Sequence, residues 1–417
     1  MLKYGKSEIV AAVEIGTSKI CVIIGEADDS GNIMVLGHGE KSSDDSVCKG
    51  EIIEMEKAIY RFREALSDAE ERAGVEIGPE NIYIGVTGGH IRSYSGVGSE
   101  PISGEERVVT EEHIAKVLNN ANFVSHGPEE KSIDAIGGHF ILDGKYRSEN
   151  PLNQVAHKLE VHSHVICGNR NRIETFFTPL LDVGLEHPVA TFSGLASAYS
   201  TVSDDEHKQG TLFIDMGAGT TEFMTFYNPG VLSSDVFLVG CDHIANDLAI
   251  ALDLPFTPVC RDLLMKVVRM GDSDQSHIEI PGPLGPRKVP MNTIHKIIDM
   301  RLRETFELIK SKLAEDDLFR NIGAGIVFTG GGAMIPAAEN ILKEVFKLPV
   351  RIAGKTMPDN FGGAISGLES PRYSTLLGLL HFGIVRSNKG SLITKLDRNI
   401  NSFMKSLVVK TWKALKF

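Results

Sequence analysis

At 417 residues, with 42% hydrophobic and 24% charged side chains, the chain has the length for two or more domains and an ordinary globular composition. Its net charge of −12 argues against a general nucleic-acid binder, because an acidic surface repels phosphate. No apolar run approaches the roughly eighteen residues of a membrane span, and five scattered cysteines without a CxxC suit reduced thiols, not a disulfide framework or a zinc site.

The N-terminal residues show no apolar stretch followed by a cleavage site, so no secretory signal is expected. The first predicted element is a β-hairpin at residues 11–26, AAVEIGTSKICVIIGE. An apolar, β-branched strand carries Glu14, turns on Gly16, Thr17 and Ser18, and resumes at Lys19. Glycine lets backbone N–H groups face an anion, Thr17 and Ser18 add hydroxyl donors, and Lys19 adds a point charge. After IYIGVTGGHI at 82–91 come roughly eighty residues of mixed strand and helix. Within them TEEHIAKVLNNA predicts a helix capped by Thr110. His162 and His164 share one side of an alternating strand, but without a third ligand nearby no metal site is expected.

A second hairpin, TLFIDMGAGTTEFMTF at 211–226, repeats the first about two hundred positions later. Asp215 stands where Glu14 stood, and the turn is Gly217, Ala218, Gly219, Thr220 and Thr221. One such hairpin alone is equally an ordinary tight turn. A matched pair, facing each other, suits a clamp for a triphosphate, with Glu14 and Asp215 holding magnesium through water. Beyond it, PGPLGPRKVP at 281–290 is expected to be a loop by its prolines. A long helix follows, with Ile294, Ile297, Ile298, Leu302, Phe306, Ile309 and Leu313 at helical spacing. GIVFTGGGAMIP at 325–336 reads as a buried strand running into Gly330, Gly331 and Gly332, then Ala333, Met334 and a helix through 340–346. Strand, triple glycine, helix lets backbone approach a ligand closely, here an adenosine. No GxxxxGK[ST] occurs, so a P-loop enzyme is not expected.

The end of the chain reverses its charge. Residues 386–417 hold eight Lys or Arg and one Asp. On a helical wheel Phe403, Met404, Leu407, Val408 and Leu415 share one side with Ile400, Thr411 and Ala414, and Trp412, the only tryptophan, lies at its border. Arg398, Lys405, Lys413 and Lys416 lie opposite, Lys410 at the edge, and Val409 breaks the pattern. That pattern suits a helix in the interface of an anionic membrane; a helix docked on the body or a partner is the alternative.

Two phosphate hairpins, a connecting helix at GLASAYS (194–200) and an adenosine-side glycine turn, in this order, resemble the actin-like ATPase superfamily. With YSTLLGLLHFG at 373–383 and the amphipathic end, nearly the whole chain is similar to the FtsA family of bacterial cell-division proteins. The resemblance implies an α/β, actin-like two-lobed ATPase fold with an inserted small α/β subdomain of the 1C type and a C-terminal amphipathic helix. Residues 1–84 and 166–205 would form the first lobe, 85–165 the insertion, 206–247 and 322–386 the second lobe, 248–321 its distal part, 387–397 a linker and 398–417 the membrane-targeting helix. It implies ATP and Mg2+ as ligands, no catalytic residue and at most a slow ATPase. It further implies self-association on the cytoplasmic face of the inner membrane at the division site, recruitment of later division proteins and no nucleic acid. Arg301 and Glu304 match positions that receive the C-terminal tail of FtsZ, the tubulin-like ring protein; a solvated helix face is the plainer reading of the same residues.

The chain departs from this pattern at four places. Glu14 replaces a usual Asp and Ala218 a usual Gly. Ser193 stands where superfamily members place a water-positioning Gln or Glu, and serine is no carboxylate base, so hydrolysis is expected to be slow. The helix at 262–271 offers Lys266 to the adenosine without its usual acid. Two rivals share the superfamily. A pilus-assembly relative lacks a long terminal amphipathic helix, and a sugar kinase requires a catalytic aspartate for which no candidate is apparent.

Overall fold

Both hairpins form, and each seeds a sheet of the same plan. The computed structural model describes residues 9–27, 32–104, 106–228, 230–254, 258–270, 276–282 and 285–387. Val10–Ile15 runs antiparallel to Lys19–Ala27 with Glu14 opposite Cys21, and Ile82–Val86 joins it in parallel on the other side. Pro188–Phe192, Ile33–Ser42 and Phe361–Gly363 complete six strands. In the second sheet Thr211–Met216 pairs with Thr221–Tyr227, placing Asp215 opposite Glu222, and Gly325–Thr329 joins in parallel. Gly230–Phe237 and Val350–Ile352 form its edges. The central strands are buried on almost every residue. Continuous Val, Ile and Phe, not alternation, is what a sheet covered on both faces selects.

The first sheet shares one hydrophobic core with one face of the second, through Phe213, Met224, Phe226 and Val327, and the other face of the second sheet covers a separate core. Two helices, Ser193–Thr201 and Ser374–Ser387, cross at the cleft. A Cβ on Gly378 would lie 1.7 Å from the Ala196 carbonyl oxygen, so only glycine permits this approach. The long helix spans Met291–Glu315 and buries Ile294, Ile298, Leu302, Phe306, Ile309 and Leu313; Ile297 is half-buried against the same core. The stretch expected to be a loop at 281–290 ends instead in a strand, Arg287–Pro290, paired with His277–Ile280. Pro290 is accommodated because it is the last residue of the strand, where a missing N–H costs no ladder bond.

Between Ile82–Val86 and Pro188–Phe192 the chain leaves the first sheet and builds a four-stranded antiparallel one. Its order is Arg92–Pro101, Lys158–Asn169, Glu130–Leu142, Tyr146–Ser148. Helix Glu111–Asn122 packs on it with Ile114, Val117, Leu118 and Ala121 buried. The Thr110 hydroxyl caps this helix by accepting the His113 N–H, and a third core belongs to the insertion alone. Of the histidine pair, His162 is exposed and His164 is buried, bonded through Nε2 to Ser234 Oγ at 2.7 Å. That contact joins the insertion to the second sheet.

The last helix reaches Ser387, one residue into the stretch assigned to a linker. The rest of that linker and the amphipathic segment, with Phe403, Met404, Lys405, Leu407, Val408, Lys410, Trp412, Lys413, Leu415 and Lys416, lie outside the described residues. Among the described residues no helix is long and apolar enough to cross a membrane.

A candidate nucleotide cleft between the two hairpins

The two turns close alike. The Gly16 N–H donates to the Lys19 carbonyl and the Gly217 N–H to the Thr220 carbonyl, both at 2.9 Å. The turns then meet: a Cβ on Gly219 would lie 2.4 Å from Thr17 Oγ1. Thr17 is fixed by the Gly50 N–H, which donates to its hydroxyl at 3.1 Å. The second turn is fixed by helix Cys241–Ala251, whose Cys241 and Asp242 N–H groups donate to the Gly217 and Ala218 carbonyls at 3.0 and 2.8 Å. Between the turns lies a cavity of about 300 Å³, at the small end of ligand sites.

Its floor is acidic. Asp215 and Glu222, cross-strand partners, are 6% and 4% exposed. The Thr87 hydroxyl, just after strand Ile82–Val86, and the Thr220 hydroxyl both donate to Glu222 Oε1, and Thr375 donates to Asp215 Oδ2 at 3.3 Å. Burial pushes both carboxyls well above the usual carboxylate range, and each has a charged carboxylate neighbour that pushes the same way: Glu14 for Asp215, Asp215 for Glu222. Lys19 Nζ stands 2.6 Å from Glu14 Oε2. Burial disfavours its charge, but Cys21 and Glu14 outweigh that and hold its pKa above the ordinary lysine range. Buried carboxylates with a raised proton affinity gain from a nearby cation, but among the described residues no group of three or more His, Cys, Asp or Glu is placed to hold a metal ion by itself.

One wall comes from helix Pro258–Met270, apolar at Leu264, Met265 and Val268 and charged at Arg261. Met334 and Ile335 also line the cavity, beside Gly330 and Gly331. A Cβ on Gly330 would fall 2.2 Å from Asp215 Oδ1, so the glycine turn approaches the acid as closely as backbone allows.

The structure therefore gathers Glu14, Gly16, Thr17, Ser18, Lys19, Asp215, Gly217, Ala218, Gly219, Thr220, Gly330, Gly331 and Met334 around one cavity. Four expected residues are not on its wall. Lys266 is exposed, because positions 261, 264, 265 and 268 form the stripe that faces the cleft and 266 falls on the far side. Thr221 points to the other face of its strand and donates to the Val239 carbonyl at 2.7 Å. Gly332 packs on Met216, where a Cβ would lie 2.7 Å from its side chain, and Ala333 is buried behind it. Ser193, the first residue of its helix, does line the cavity.

The sequence matches the family model for the SHS2 domain inserted in FtsA over residues 88–167, and that for cell division protein FtsA over residues 212–378. Together these take in more than half of the chain. The chain belongs to the FtsA family.

The FtsA relative from Borreliella burgdorferi is 27% identical over 415 residues, covering 97% of this chain and 99% of its own. That from Pseudomonas aeruginosa is 27% identical over 399 residues, covering 94% and 93%. Among solved structures, the PilM–PilN type IV pilus biogenesis complex aligns with a TM-score of 0.60 at 13% identity, over 90% of this chain and 98% of that one. MreB5 of Spiroplasma citri bound to ADP aligns at 0.51 and 12% identity, over 94% and 99%. These two likenesses establish the actin-like fold. The matched insertion coincides with the four-stranded sheet and its capped helix.

Sequence reasoning on this FtsA-family chain missed Thr87, Glu222, Arg261 and Arg372, all on the cavity wall. Glu222 had a signal: it sits opposite Asp215 in the hairpin register, so both carboxylates share a face. Arg372 had none, since it arrives from a distant segment. Away from the cleft, Arg301 is not a free cation. Its Nε and Nη2 grip Asp247 at 2.6 and 2.9 Å, and Nη1 reaches Glu304 at 2.7 Å. Met300 and Leu308, four residues either side of the exposed Glu304, are 72% and 48% exposed.

Proposed function

We propose that the chain acts in bacterial cell division as an ATP-binding adaptor, with ATP and Mg2+ held between the two hairpins. The carrying observation is the meeting of Thr17 and Gly219 over an acidic floor. Two turns rich in N–H and hydroxyl donors converge there on one small cavity, as a phosphate clamp requires. Glu14 and Asp215 would hold the metal, which when bound supplies charge neutralisation between carboxylates and phosphates. Leu264, Met265, Val268 and Met334 offer the base an apolar slot. The work is positional: bound nucleotide bridges the lobes, and neighbouring subunits then fit. At most slow hydrolysis is expected, because Ser193 supplies no carboxylate base.

The proposed lobes follow the two sheets, with residues 85–165 as a 1C-type insertion and 248–321 as a 2B-type distal part. The exposed Met300, Glu304 and Leu308 on helix Met291–Glu315 support a docking face for the FtsZ C-terminal tail. Arg301 would act there with part of its charge already committed to Asp247. The basic, amphipathic residues 398–417 would hold the protein on the cytoplasmic face of the inner membrane at the division site. Self-association and contacts with later division proteins complete the reading. Titration calorimetry with ATP and magnesium tests its centre. The intact chain should bind, and Asp215→Asn, which keeps one oxygen to accept the Thr375 hydroxyl, should weaken binding of the magnesium complex; no heat of binding to the wild type would refute the nucleotide site.

A further inference from the structure

Three cations line the cavity. Lys19 belongs to the first turn, and Arg261 is forked onto Asp242 at 2.8 and 2.9 Å, with Asp45 of the first lobe at 2.6 Å. Arg372 belongs to neither hairpin and to no part of the glycine turn. It lies in the one-turn helix Pro371–Tyr373, whose backbone is fastened to that turn. The Pro371 carbonyl accepts the Gly330 N–H and the Thr329 hydroxyl, each at 3.3 Å. From there the side chain crosses to the first lobe, with Nη2 2.6 Å from Glu40 Oε1. Its guanidinium lies 5.0 Å from the centre of the Tyr373 ring, and Lys19 Nζ lies 5.5 Å from the same centre. Two cations thus share one aromatic ring beside the first phosphate turn, each held by a single acid, Glu14 or Glu40. Burial opposes charge on Glu40, but Tyr373, Arg372 and Lys19 outweigh it and keep the carboxylate ionised.

A guanidinium carries five N–H donors in a planar fork, and Glu40 takes one of them. The buried Lys19 and the half-buried Arg372 repel each other, and a polyanion between them relieves the repulsion. We propose that Arg372 is a phosphate-binding residue that reads the length of the polyphosphate chain, exchanging Glu40 for phosphate oxygens beside Lys19 when nucleotide enters. This rests on the cavity being the nucleotide site. Glu40 is then a tether that parks the arginine at the wall of the cleft and competes with phosphate for it.

The test compares full-length wild type, Arg372→Gln, Arg372→Lys and Glu40→Gln by equilibrium titration with ATP, ADP, AMP and adenosine. Arg372→Gln should weaken ATP most, by roughly 10- to 100-fold, the range for a lost charge-assisted bond, ADP less and AMP least, and leave adenosine unchanged; an equal loss for ATP, ADP and AMP would refute the reading of chain length. Arg372→Lys, which keeps the charge and loses the fork, should fall between and covers the case in which the glutamine variant does not fold. Glu40→Gln should preserve or tighten ATP binding, because the competing charge is gone. If Arg372 is only a strut to Glu40, Glu40→Gln will weaken ATP as Arg372→Gln does, and the proposal fails. It fails equally if Arg372→Gln leaves ATP binding intact or weakens adenosine as much as ATP. A wild type that binds no nucleotide would instead sink the nucleotide reading itself, and this inference with it.

Discussion

Substituting Gly378 by alanine sets two known magnitudes against each other. In an isolated helix the change stabilises by about 1 kcal/mol, because glycine loses more backbone entropy on folding. In this structure the new Cβ meets the Ala196 carbonyl oxygen at 1.7 Å and its carbonyl carbon at 2.5 Å. Ordinary contact begins near 3.4 Å, so the two crossing helices must separate by roughly 1.5 Å. No rotamer relieves a clash with backbone, so the cost belongs at the upper end of overpacking, about 3 kcal/mol. The net expectation is a loss of roughly 2 kcal/mol, read as a lower urea midpoint at unchanged slope. Nucleotide affinity should fall with it, because Thr375, three residues earlier on the same helix, lines the cavity and bonds Asp215. A more stable Gly378→Ala protein with undiminished ATP binding would mean that the helices do not cross in this contact, and would refute the coupling of helix crossing to cleft.

The buried Glu222 supplies a pH test. Its folded-state pKa is raised, so stability is fullest below the unfolded value, near pH 4, and is lost as pH rises through the folded one. Glu222→Gln should therefore melt higher than wild type at pH 8 without nucleotide or metal, by an amount of order 1 kcal/mol, with the gap closing toward pH 4; an equal gap at both pH values would show that charge is not the cause. For the FtsZ tail, Met300→Asp is the cleaner probe than Arg301→Glu, because the latter also breaks the Asp247 fork. Met300→Asp should weaken a labelled tail peptide in fluorescence polarization at unchanged urea midpoint, and unaltered affinity would remove this face from the site. Trp412, the only tryptophan, should shift its emission blue on adding anionic vesicles and much less with neutral vesicles or in high salt; vesicle sedimentation of a chain lacking residues 401–417 as strong as that of the full chain would reassign the anchor.

Local chemistry was legible in the sequence. A hairpin is specified by its own strand residues and turn, so the positions of Glu14, Asp215 and both glycine turns followed from about sixteen residues each. The Thr110 cap and the apolar period of Met291–Glu315 were read in the same way, because a helix repeats within its own length. The amphipathic pattern of residues 398–417 is likewise a property of the sequence alone. What the tertiary structure decided is which side of each element faces the cleft. Arg261 lines it and Lys266 does not, because packing turned that helix by its apolar stripe and left no mark on either cation. Glu222 faces the site and Thr221 the core because the register of one hairpin was set by burial of a whole sheet. Arg372 meets Glu40 across 332 positions of sequence, and Arg301 meets Asp247 across 54. Side chains that distant are brought together only by sheet order and by the crossing of helices at Gly378, and those are set by the sum of many buried contacts, which no local pattern encodes.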